Sequence, residues 1–129
     1  MKIESLTTIT NKTKGKLPGL PFAQMKDAVM GKKYELSLVF VGEKRSRKLN
    51  KEYRQKDKSG NVLSFPLDKK NGEIFICPVR ARREMKNFGR KYDNFIAFLF
   101  IHGLCHLKGM DHGSTMEKAE EKIRAQFSV

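Results

Sequence analysis

His102, His106 and His112 are the only histidines in this 129-residue chain, and all three lie between positions 102 and 112. On a helix, His102 and His106 stand one turn apart and share a face, so their imidazoles converge on one point. Gly109 can take the left-handed conformation that ends a helix, which lets the chain turn back and bring His112 to the same point. Three neutral nitrogen ligands at ~2.0–2.1 Å, with a fourth position open, make the catalytic kind of zinc site, here for one ion. A single histidine on an apolar helix is usually a core residue; three at this spacing, with none elsewhere, read as ligands. Proteases with similar spacing carry a glutamate directly after the first histidine, as general base. That position is Gly103, which has no group to accept a proton, so the spacing points away from proteolysis.

These ligands need a helix, and the apolar run Phe95 to Ile101 supplies it. Asp93 is positioned to cap it, and Leu107 or Lys108 is its expected end. Before it the pattern alternates irregularly. Lys2 to Thr10 reads as a strand, 11–19 as a loop and Leu20 to Met30 as an amphipathic helix. Tyr34 to Val41 is the strongest strand, followed by a basic helix from Glu43 to Tyr53. A polar loop over 55–60 leads to a short strand, Asn61 to Pro66, and Glu73 to Cys77 forms another. Val79 to Lys91 reads as a basic helix. Thr115 to Phe127 closes the chain with Met116, Ala119, Ile123 and Phe127 on one face. The expectation is an α+β fold in one domain spanning 1–129. Its mixed sheet of about four strands packs with about five helices, one of them a zincin-like helix carrying the ligands.

The balance of 27 Lys plus Arg against 14 Asp plus Glu gives a net charge of +13, a field that draws in polyanions, nucleic acid foremost. The longest apolar run is far short of the ~20 residues that cross a bilayer, so no membrane partner is expected. Cys77 and Cys105 make no disulfide framework, and the N-terminus lacks a secretory signal; both suit a reduced, cytoplasmic protein.

His102-Gly-x-x-His106-Leu-x-Gly109-x-Asp111-His112 resembles the signature of the YbeY family, bacterial single-strand-specific endoribonucleases of rRNA maturation and ribosome quality control. Two further segments resemble that family in the same order: Leu49-Asn50-x-x-Tyr53-Arg54-x-Lys56-Asp57-x-x-x-Asn61-Val62-Leu63-Ser64-Phe65-Pro66, and Gly72-Glu73-Ile74-Phe75-Ile76. The resemblance implies His102, His106 and His112 as the zinc ligands and Arg54 as a catalytic arginine. A guanidinium suits charge developing on phosphoryl oxygens, because it is a rigid fork of donors that cannot lose its charge. Lys56 and neighbouring cations would grip the RNA backbone. The implied partners are single-stranded RNA, rRNA in particular, and the small ribosomal subunit; DNA is not expected. The chain departs from the family pattern at Glu73 (usually Asp), at Ser59-Gly60 (often Pro-Thr) and at Met110 (usually Tyr).

Single-strand binders commonly interleave cations with aromatic platforms. Tyr53, Phe65 and Phe75 lie near the motifs but read as core rather than platforms. The rival to a nuclease is a non-catalytic, zinc-stabilised ribosome-assembly factor that docks its basic surface on rRNA. Structural zinc sites usually close with four protein ligands, often cysteines. Here Cys105 is the only nearby thiol, and on a helix it diverges from the face of His106.

Overall fold

The computed structural model describes residues 6–54, 61–110 and 113–129. Four strands form one mixed sheet in the order β1-β2-β4-β3: β1 (Thr7–Asn11), β2 (Glu35–Phe40), β3 (Val62–Pro66) and β4 (Asn71–Ile76). β1 runs parallel to β2 and β2 parallel to β4, while β3 pairs antiparallel with β4 and forms one edge. Five α-helices accompany the sheet: α1 (Phe22–Met30), α2 (Glu43–Arg54), α3 (Pro78–Glu84), α4 (Tyr92–Leu107) and α5 (Ser114–Gln126). The α+β expectation holds. No helix among the described residues is long and apolar enough to cross a membrane.

Side chains of a strand alternate between faces, and here the alternation decides where the helices sit. Leu36, Leu38 and Phe40 of β2 and Ile74 and Ile76 of β4 are fully buried in the core, together with Phe95, Phe100, Ile101 and Leu104 of α4. α4 is the central strut, packed against β3, β4, α1, α3 and α5. Ten of its residues are buried. Its partly open positions Asn94, Phe98, His102 and His106 recur every fourth residue, which on a helix is a single seam.

Two local expectations need correction. The basic helix read from Val79 to Lys91 is shorter: α3 stops at Glu84 and a 3-10 turn covers Met85–Phe88. Gly89 then takes φ 61°, a left-handed conformation that ends the run. Asp93 is not a cap either. Lys91 precedes the first turn of α4 without a side-chain cap, and Asp93 lies inside that turn, where its charge favours the positive end of the helix dipole. The strand expected over Lys2 to Thr10 is found as Thr7–Asn11; residues 1–5 lie outside the described part.

At the far end of α4 the sequence reading holds. Gly109 has φ 89°, its N–H donates to the His106 carbonyl and the Met110 N–H donates to the Cys105 carbonyl. That pair of bonds is the Schellman closure, which satisfies carbonyls left open by the last turn.

A candidate metal centre on the open seam of α4

His102 and His106 present Nε2 to Nε2 at 3.1 Å, with ring centroids 4.6 Å apart and planes at 86°. Two imidazole nitrogens at that separation can share one proton or one cation. The other nitrogen of His102, Nδ1, lies 2.6 Å from Oε1 of Glu120 on α5. A carboxylate can only accept a hydrogen bond, so Nδ1 donates to Glu120 and Nε2 is the nitrogen turned toward His106. Glu120 is only 7% exposed, which excludes most of the water that would weaken this contact.

The sequence reading missed Glu120. Positions 116, 120, 123 and 127 follow helical spacing, and Glu120 stands among apolar residues there, with Met116 buried beside it and Ile123 and Phe127 packed on the core. A carboxylate inside an apolar stripe was the available signal. The surrounding run Glu117-Lys118-Ala119-Glu120-Glu121-Lys122 hid it by reading as a solvated face.

The remaining site residues are placed as follows. His112 lies outside the described residues. Arg54 is the last residue of α2; its side chain, Lys56 and Ser59-Gly60 also lie outside them. Cys105 is buried, and burial, with the charge of Glu120 adding to it, pushes its thiol up to about 11. It is a neutral core residue at physiological pH, as expected.

Gly103 now has a physical reason. A Cβ built there would come within 3.0 Å of Ser64 Oγ, 3.2 Å of Ile74 Cδ1 and 3.3 Å of Val62 Cγ2. The missing side chain lets α4 lie directly on β3 and β4, and Ser64 Oγ donates to the Gly103 carbonyl at 3.0 Å. A glutamate at this position would point into the sheet. Position 103 is therefore closed to a general base by packing as well as by residue type. The same edge strand is tied at its start, where Asn61 Nδ2 donates to Glu84 Oε2 at 2.6 Å. The motif segment 61–66 thus reads as the rail on which the histidine helix rests.

The aromatic residues beside the motifs divide. Phe65 and Phe75 are half-buried, with centroids 5.7 Å apart, and Tyr53 lies 5.1 Å from Phe65. Tyr53 is 65% exposed, which corrects its assignment to the core. It ends an aromatic row at the tip of α2, whose Lys44, Arg45, Arg47, Lys48 and Lys51 line a groove. Glu73, on β4, is half-buried and pairs in register with Phe65 and Ser37.

A family model described as Endoribonuclease YbeY matches residues 9–128. Among curated relatives, Endoribonuclease YbeY of Finegoldia magna is 44% identical over 86 residues, covering 61% of this chain and 56% of the relative. That of Ureaplasma urealyticum is 40% identical over 90 residues, covering 65% of this chain and 56% of the relative. That of Campylobacter jejuni is 38% identical over 98 residues, covering 69% of this chain and 73% of the relative. The chain therefore spans little more than half the length of the first two. The solution structure of TM1509 from Thermotoga maritima shares the fold, with a TM-score of 0.66 at 22% identity over 95% of this chain and 91% of that one.

Proposed function

Since the chain belongs to the YbeY family, we propose that it is a zinc-dependent endoribonuclease that cuts single-stranded RNA in rRNA maturation and ribosome quality control, working on the small subunit in the cytoplasm. The observation that carries the metal reading is the facing pair of Nε2 atoms at 3.1 Å, with the ring of His102 oriented through its Nδ1 by Glu120. Two bonds of ~2.0–2.1 Å bridge that separation, and the donor set suits zinc. His102, His106 and His112 would hold the ion, leaving one position for substrate. Zinc supplies Lewis-acid polarisation and neutralises charge on a phosphoryl oxygen.

This chain's residues supply the rest. Glu120 holds His102 in orientation. Arg54 offsets negative charge gathering on the phosphorus oxygens, and the surface behind a net charge of +13 draws in the polyanion. Gly103 and the buried flanks of α4 offer no proton acceptor, so α4 can contribute a base only from its open seam. The direct test is cleavage of a single-stranded oligoribonucleotide by purified protein. Cleavage should stop with a chelator, return with zinc, and fall by about 10²-fold or more in Arg54→Ala with zinc content unchanged. Chelator-resistant cleavage, or no cleavage with zinc bound, overturns the reading; the latter outcome would leave a zinc-braced assembly factor.

Glu120 makes a second, independent prediction. Partners that orient a metal-bound histidine typically matter 10–100-fold for affinity. Glu120→Ala should weaken zinc by about that factor in a competition titration with a chromophoric chelator, and Glu120→Gln should recover part of the loss. Equal affinity in all three proteins would remove Glu120 from the centre.

A further inference from the structure

One helical turn from His102 along the seam of α4, two guanidiniums converge on a single ring. Arg90 Cζ lies 4.4 Å from the centroid of Phe98, and Arg124 Cζ lies 5.2 Å from the same centroid. Phe98 itself stacks on Phe95 at 5.8 Å with planes only 16° apart, so the platform is rigid. Arg90 also donates to Asn94 Oδ1, the next open position along the seam. Arg124 stands one turn beyond Glu120 on α5, so the helix that orients His102 also delivers one of the two cations.

Both arginines are half-buried, and among the described residues neither is within ion-pair distance of a carboxylate. Burial, and then the nearby charge of Arg124, lower the pKa of the Arg90 guanidinium from its ordinary value while leaving it charged, so the two like charges feel one another. One cation–π contact explains one arginine over Phe98. It does not explain a second, which brings a like charge close to the first. An anion between them would offset that repulsion. Stacking occupies the flat face of a guanidinium and leaves its N–H edge for bidentate contact with phosphate oxygens.

We propose that Arg90 and Arg124, mounted on Phe98, form a phosphate-binding subsite that grips a phosphodiester of single-stranded RNA next to the one presented to the imidazole pair. The four-residue step from Phe98 to His102 is ~6 Å along the helix axis, comparable with the distance between neighbouring phosphates of an unstacked strand. The subsite rests on the ribonuclease reading above, and its role is to set the strand's position along the seam.

The test is equilibrium binding of a cleavage-resistant 2′-O-methyl phosphorothioate decamer, followed by fluorescence anisotropy across a salt series. For single strands, log K falls with log salt by about 0.7 for each phosphate neutralised. Arg90→Gln with Arg124→Gln should make that slope shallower by about 0.7 and weaken binding about tenfold at low salt, with zinc content and Tm unchanged. Arg90→Lys with Arg124→Lys should keep the slope. If the wild type binds and the Gln pair shows the same slope, the subsite is wrong while the ribonuclease reading stands; if the wild type binds no RNA, both fall. Should the Gln pair not fold, phenylglyoxal modification of the wild type decides by mass spectrometry. RNA should shield Arg90 and Arg124, and equal modification with and without RNA overturns the subsite.

Discussion

His102→Ala is expected to take bound zinc from one ion per chain to none detectable, and to lower cleavage of single-stranded RNA by ~10³-fold or more. On the proposed function His102 is a direct ligand, whose loss would exceed the 10–100-fold usual for an outer partner, and the Lewis-acid contribution would go with the ion. A second consequence separates this residue from an ordinary ligand. Glu120, 7% exposed, would lose the imidazole 2.6 Å away, and a buried polar group left without its partner costs ~1–3 kcal/mol. His102→Ala should therefore also lose stability in urea denaturation. Adding Glu120→Ala should restore much of that stability and none of the zinc. One tightly bound zinc in His102→Ala, measured by elemental analysis, would move the centre elsewhere.

The second large effect concerns a residue far from the chemistry. Lys26 is completely buried, yet its ammonium donates to the carbonyls of Gly31, Lys32 and Tyr34 at 3.0, 3.3 and 2.8 Å and lies 2.7 Å from Asp27 Oδ1. These bonds fold the chain back from the end of α1, through Gly31 at φ 88°, to Tyr34, the residue before β2. Lys26→Met fills a similar volume but takes the ammonium from three carbonyls, of which, among the described residues, only that of Gly31 keeps another donor, the Tyr34 N–H at 3.4 Å. It should cost about 3 kcal/mol of unfolding free energy, roughly a hundredfold in the folding equilibrium. Chemical denaturation measures it directly, and a loss under 1 kcal/mol would show that water replaces the ammonium. Zinc affinity at 25 °C should stay within about twofold, because α1 supplies no group to the centre.

Lys26 and Glu120 show where sequence reasoning stops. Strands and helices were legible because their signal is local. Tyr34 to Val41 alternates and then turns apolar, and 95–107 is too apolar for anything but a core helix. The histidine pair was legible for the same reason, since i, i+4 spacing on one helix fixes a shared face before any tertiary contact forms. Gly109 was equally local. A buried ammonium and a buried carboxylate carry no such mark. Each is tolerated only because a turn or a helix from elsewhere in the chain supplies its partner. The basic helix was misread in length because Gly89, at φ 61°, ends the run, and the 3-10 turn over 85–88 packs on α4 through Phe88. Tyr53 was misplaced because an aromatic ring gives no sequence signal for which end of a row it occupies.

The single open seam of α4 has a consequence for how this protein can change. Ten positions of the helix face the interior, and the seam positions from Asn94 to His106 are committed to polar or aromatic contacts. A helix with one side in water normally offers a stretch where substitutions pass unnoticed; this one has almost none. Saturation mutagenesis across 94–107 should therefore yield few silent variants, dividing instead into those that melt early and those that fold well but work differently. Drift toward a new specificity would have to enter through the seam, or through α2 and α5 beside it.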